Sequence, residues 1–181
     1  MREEAPLGTG YYSAIEAARL LDTPVRNVRR WLGGYSYRQG REVFHVEPLW
    51  TPQLPKYESN IELGFRDLVE LRFVKEFIRV GLGLKTIRHC LNYARECVND
   101  DRPFSTRRFQ TDGRTIFLES ATDAGDAILL DLKDKQYAIK AVIDRTFKDL
   151  DIEDEAVKRW RPYKGKASIV IDPDLVFGQP T

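Results

Sequence analysis

The apolar positions begin in a helical rhythm. Ile15, Ala18 and Leu21 recur at i, i+3 and i+6, and Ser13 and Glu16 stand at capping-box spacing where the stripe starts. A short helix with that stripe facing inward is expected. Asp22-Thr23-Pro24 breaks it. Thr23 is a good N-cap and Pro24 suits a first helical position, so a second helix follows, with Val25, Val28 and Leu32 as its stripe, Trp31 beside it and Gly33-Gly34 as its stop. Residues 35–60 lose this period. Tyr35, Tyr37, Val43, Phe44 and Val46 lie among polar residues around Gln39-Gly40, the pattern of a β-hairpin, and Pro48, Pro52 and Pro55 imply an extended connection.

The helical period returns over 65–80 through Leu68, Leu71, Val74 and Ile78, with Phe73 and Phe77 alongside. After Gly81-Leu82-Gly83 it resumes from Leu84 to Val98 through Ile87, Leu91 and Ala94. Asn99 to Pro103 reads as a linker and a domain boundary. Beyond it, Phe104–Gln110 and Arg114–Leu118 around Asp112-Gly113 predict a second hairpin, and Ile128–Leu132 a further strand. Lys133-Asp134-Lys135 turns the chain into an amphipathic helix from Tyr137 to Leu150, on Ile139, Val142, Ile143, Phe147 and Leu150. Val157–Trp160 and Ile169–Ile171 read as strands. The expected class is α+β: a helix-turn-helix with a β wing over 1–100, a small hairpin/helix domain for dimerisation or interaction over 101–165, and the start of a further domain or a tail over 166–181. Residues 1–10 are expected to form a loose arm.

Charge sharpens this picture. The 181-residue chain has a net charge of only +1, so no whole-molecule field favours a polyanion. Yet residues 19–41 hold six arginines (19, 26, 29, 30, 38 and 41) against one acid, Asp22. Arginine suits guanine and asparagine suits adenine in the major groove, so Arg26, Asn27 and Arg30 are the candidate base readers, with Arg29 flanking. Tyr35, Tyr37, Arg38 and Arg41 of the hairpin are candidates for phosphate contact, and Ser13 and Thr23 join them at the helix starts. A solvated basic helix face is the plain alternative.

Other function classes lack support. There is no glycine-rich phosphate loop, no nucleophile with a base at a known spacing and no metal motif, so the chain does not read as an enzyme, and no cofactor or metal is expected. Cys90 and Cys97 share a helix face two turns apart, too far for a disulfide, and read as small buried residues. The run Asp149–Glu155 reads as a solvated helix end or a docking surface for a basic partner, and Trp160 as an interface anchor or a buried ring. No apolar run is long enough to span a bilayer and the N-terminus lacks a signal region, so a cytoplasmic protein is expected.

The segments Tyr12–Leu21, Arg29-Arg30-Trp31, Phe65–Val74 and Gly81–Arg88 resemble the MerR-type winged helix, with a longer wing connection over 33–64 and Gly83 in place of a hydroxyl N-cap. The second half, through Phe109–Arg114, Gln136-Tyr137, Arg159–Pro162, Ile169–Pro173 and Phe177–Pro180, is similar to VapB-type antitoxins that carry a C-terminal domain of unknown function and pair with PIN-domain ribonuclease toxins. That resemblance implies an autorepressor that binds operator double-stranded DNA as a homodimer and neutralises a PIN-domain toxin. It also implies that the chain ends within the opening of a further, truncated domain. A stand-alone regulator whose 104–165 module dimerises or senses a ligand, and a protein-interaction module that has lost DNA binding, are the alternatives.

Overall fold

The computed structural model describes residues 8–162 and 169–181. The first seven residues of the expected arm, and residues 166–168 of the expected third unit, lie outside the described residues. The order is β1 (Tyr12–Ser13), α1 (Ala14–Leu21), α2 (Val25–Gly33), β2 (Tyr35–Gln39), β3 (Glu42–Val46), β4 (Glu62–Leu63), α3 (Phe65–Arg79), α4 (Leu84–Val98), α5 (Arg107–Ser120), α6 (Asp126–Asp134), α7 (Gln136–Phe147), β5 (Leu150–Glu153) and β6 (Ala156–Trp160). Helices and small antiparallel sheets share the chain, so the α+β class holds. Among the described residues no helix is long and apolar enough to cross a membrane.

The capping box opens α1 as its spacing requires: the Glu16 amide donates to Ser13 Oγ at 3.1 Å and the Ser13 amide to Glu16 Oε2 at 2.8 Å. The inward stripe differs from the expected one. Ala14, Ala17, Ala18 and Leu21 are buried, while Ile15 is 48% exposed, because α2 and α3 close over the small alanine face. In α2, Val28 and Leu32 are buried as expected, Val25 only half so, and the Trp31 beside them is buried too; the N-cap position falls to Pro24 and not Thr23. The Thr23 hydroxyl instead accepts the Asn27 side-chain amide at 3.3 Å.

Strands β2 and β3 pair in register from Tyr35 opposite Val46 to Gln39 opposite Glu42. The turn is therefore Gly40-Arg41, one residue later than expected, with Gly40 at φ 64°, which glycine adopts without steric cost. Tyr12 of β1 pairs with Leu63 of β4, which closes the connection onto the start of α1.

The second half departs most from expectation. The segment read as a hairpin around Asp112-Gly113 is helix α5. Thr106 Oγ1 caps it by accepting the Phe109 amide at 3.2 Å, and Phe109, Gly113, Ile116, Phe117 and Ser120 form its buried face. Gly113 is there for close packing and not for a turn: a Cβ would stand 2.9 Å from both Ile143 and Phe109. Residues 128–132, read as a strand, lie in α6, with Ile128 and Leu132 buried one turn apart and Leu130 61% exposed. Helix α7 ends at Phe147, so Leu150 and the acidic run after it form β5 and its turn and not a helix end. Strand β6 matches the expected 157–160, and Trp160 is a buried ring; of 169–171, only Ile171 forms a bridge, to Trp160.

One buried cluster draws on both sides of residue 100. Phe73 of α3 meets Phe104, Phe109 and Phe147 with ring centroids 5.8, 5.7 and 5.0 Å apart, and Phe77 meets Phe117 at 5.0 Å. Each such pair contributes about 0.5–1.5 kcal/mol beyond area burial. The C-terminal stretch returns to β1: the Tyr11 amide donates to the Phe177 carbonyl at 2.8 Å, and the buried Tyr12 hydroxyl, its pKa raised chiefly by burial, donates to the Gly178 carbonyl.

Candidate nucleic-acid interface

Helix α2 divides its residues cleanly. Trp31, Leu32 and Val28 fix one side in the core, so Arg26 and Arg30, one turn apart, stand on the opposite side and are exposed. Asn27 and Arg29 flank them on opposite edges. Asn27 is half-buried and tied to Thr23, whereas Arg29 is exposed and shares with Ser13 the wall of a depression of about 320 Å³ that also includes Tyr57 and Asn60.

The hairpin faces are fixed by its register. Tyr35 and Tyr37 share a face with Phe44: Tyr37 stacks on Phe44 at 5.3 Å and 20°, and Tyr35 lies 6.3 Å from Tyr37. The cross-strand Tyr37–Phe44 pair stabilises this two-stranded sheet. Arg38 is on the other face opposite Val43, beside Ser36, whose hydroxyl meets His45 Nδ1 at 2.6 Å. Arg41 sits in the turn. The ladder continues onto α2, where Arg30 Cζ lies 4.0 Å from the Tyr35 ring centroid.

The structure therefore puts Arg26 and Arg30 on one side of α2 and rests Arg30 on Tyr35, puts Ser13 and Arg29 at a second edge, and separates Tyr37 from Arg38 across the hairpin. Arginine pairing distinguishes this region. Among the described residues, none of the arginines at 19, 26, 29, 30, 38 and 41 hydrogen-bonds or ion-pairs with another side chain or carbonyl. Every later arginine except Arg114 does: Arg72 is bidentate on Asp149 at 2.6 and 2.8 Å, Arg66 meets Asp100 at 3.0 Å, and Arg161 meets Asp151 at 2.7 Å. Five uncommitted guanidinium groups, and a sixth resting on a ring, leave N–H donors free for an anionic partner.

A buried network holds the hairpin exit in place. Asp67, fully buried, accepts the Trp50 indole N–H at 2.9 Å, the Gln53 amide at 2.7 Å, the Gly64 amide at 2.9 Å and Arg102 Nε at 2.8 Å. Arg102 also donates to the Thr51 carbonyl at 2.7 Å, and Arg88 of α4 to the carbonyls of Pro48 and Glu47 at 3.0 and 2.6 Å. Glu70, one turn along α3, accepts the amides of Phe104 at 2.6 Å and Ser105 at 3.0 Å, and burial pushes its carboxyl up to about 7 despite the opposing effect of Arg66. Sequence reasoning missed these positioning residues. Two acids at i and i+3 in a helix look like a solvated face, and nothing local marks them as buried.

Cysteine 90 is buried, its pKa pushed up to about 12 by burial, with its sulfur 3.3 Å from the Ser120 hydroxyl; Cys97 is half-buried, and both are free thiols. Among the described residues no group of three or more His, Cys, Asp or Glu is placed to hold a metal ion. Helix α4, whose N-cap Gly83 offers no side chain, is capped from α6: the Gly83 amide donates to Asp131 Oδ2 at 3.3 Å. Burial opposes the Asp131 charge, but bonds from Lys135, Thr86 and Gly83 hold its carboxyl below the ordinary aspartate range.

The chain is similar to a Mycobacterium tuberculosis protein named "Putative antitoxin VapB45", 24% identical over 191 aligned positions that span 99% of this chain and 78% of the relative. The likeness thus runs through the arginine-rich helix, the hairpin and the helices behind them alike. No family model matches the chain, and no solved structure matches it.

Proposed function

We propose that this chain is the DNA-binding antitoxin of a toxin–antitoxin pair and represses its own operon. On this reading α1 and α2 are a helix-turn-helix and β2–β3 its wing. Arg26, Asn27 and Arg30 face the major groove, and Arg29, Arg38, Arg41 and the Ser13 hydroxyl lie near phosphates. The protein binds its operator as a homodimer, has no enzymatic role, and its partner is a PIN-domain ribonuclease. The observation that carries the DNA half is the set of arginines left without acidic partners in a chain that otherwise pairs its arginines. The similarity to a protein named as an antitoxin supports the toxin half.

A gel-shift titration with duplex taken from upstream of the gene tests the DNA half. Replacing Arg26, Asn27 and Arg30 together with alanine should weaken binding by at least about tenfold, since each lost base contact costs about 1–3 kcal/mol. Unchanged affinity would sink the assignment. Co-expression with a neighbouring PIN-domain reading frame tests the partner: a co-purifying complex with suppressed ribonuclease activity is expected.

A further inference from the structure

The wing tyrosine nearest α2 is engaged through the face of its ring. Tyr35 is half-buried at the base of the hairpin, opposite Val46, and its ring carries Arg30 at 4.0 Å. The ring is itself held by the ladder through Tyr37 to Phe44. Arg26 supplies an internal contrast. It projects from the same side of α2, equally exposed, with no ring and no hydrogen-bond partner among the described residues. A free arginine must give up many rotamers when it docks on a base. One already resting on an aromatic face gives up fewer, and its edge N–H groups stay available because a ring face occupies none of them.

We propose that Tyr35 is a positioning residue. It presents the Arg30 guanidinium for bidentate recognition of a guanine O6/N7 edge in duplex DNA, which makes the Arg30 contact the sharper of the two arginine contacts on α2. This rests on the DNA-binding reading above. Tyr35 acts through Arg30 and its π face, and not through its hydroxyl on a phosphate.

The test is selection of binding sites from a randomised DNA duplex pool by the full chain, followed by affinity titrations of the winning duplex over a range of salt. Wild type should enrich a guanine at one position that Arg30→Ala no longer enriches, with a loss of preference there of roughly fivefold to hundredfold. Tyr35→Leu should weaken preference at that same position by about two- to fivefold, the range of an exposed cation–π contact, and leave the other positions and the salt slope unaltered. Tyr35→Phe should match wild type. Tyr35→Trp should restore what leucine loses. Its failure to do so overturns the proposal even if Tyr35→Leu loosens the hairpin. Full guanine preference in Tyr35→Leu, with Arg30→Ala defective, removes the positioning role and leaves DNA reading intact. A uniform drop in Tyr35→Phe with a shallower salt slope assigns the hydroxyl to phosphate and overturns it too. Selection of no sequence by wild type overturns the DNA reading, and this proposal with it.

Discussion

Glu70 is a carboxyl buried in the core, and the cost of ionising it there can be read out. Its carboxyl is pushed up from 4.5 to about 7, mainly by burial. The folded protein therefore holds this proton more tightly than the unfolded chain does. Between about pH 4.5 and pH 7 the native state binds more protons, so its stability falls as pH rises and levels off above 7. At about 1.4 kcal/mol per unit, the loss across that window is on the order of 3 kcal/mol. Glu70→Gln removes the titration but keeps the shape. It also turns an amide NH2 toward one of the Phe104 and Ser105 N–H groups, which costs about 1–3 kcal/mol at all pH values. Urea unfolding of both proteins at pH 5, 6, 7 and 8, followed by tryptophan fluorescence, separates the two contributions. The difference between wild type and variant cancels what the two proteins share. It should shrink by about 2–3 kcal/mol from pH 5 to pH 8. A difference that stays constant across that range would falsify the assignment of a raised pKa to buried Glu70.

Two further substitutions probe the scaffold behind the hairpin. Asp67→Ala strands the Arg102 charge and the N–H groups of Trp50, Gln53 and Gly64, so it should cost about 3–5 kcal/mol and lower Tm by roughly 6–20 °C in differential scanning calorimetry. A loss under about 1 kcal/mol would show that the network is dispensable. Gly34→Ala forces a left-handed residue at φ 71° and sets a Cβ 2.6 Å from the Val46 carbonyl oxygen, so amide exchange in β2 and β3 should accelerate by about tenfold while α3 and α4 keep their protection.

The sequence made the first hundred residues largely legible because their signals are local. A capping box, a glycine stop and a helical stripe are decided within a few residues, and α1, α2, α3 and α4 appear where those signals lie. The second half was misread wherever a local signal competed with packing. Asp112-Gly113 is a hairpin turn by local chemistry. Yet Gly113 and Ser120 complete a helical face with Phe109, Ile116 and Phe117, and only the proximity of Ile143 shows why a glycine is needed there. Small residues do not register as apolar, so the period of α5 was hidden, as was the alanine face of α1. The candidate site was legible as composition, since arginines concentrate between 19 and 41. Its geometry was not: no spacing rule places Arg30 over Tyr35, or sets Tyr37 and Arg38 on opposite faces.

Arginine does two different jobs here, and what separates them is the company it keeps. Over residues 19–41 the one acid, Asp22, closes α1 in a left-handed conformation at φ 50° and pairs with none of the six arginines. From Arg66 onward acids and carbonyls lie within reach of nearly every guanidinium, so these arginines cross-link the fold and add no free positive surface. Net charge averages over both populations, which is why a chain of +1 can hold a stretch with six unpaired arginines. The two populations also meet. Arg88 and Arg102 grip the carbonyls of residues 47, 48 and 51, the chain that leaves the hairpin. Arg102 belongs to the 100–105 segment, and that segment is held by Asp67 and Glu70 of α3. The hairpin that supports Arg30 is thus anchored through named hydrogen bonds to the connection between the two halves of the chain. The orientation of the free arginines therefore depends on residues that carry no free charge themselves.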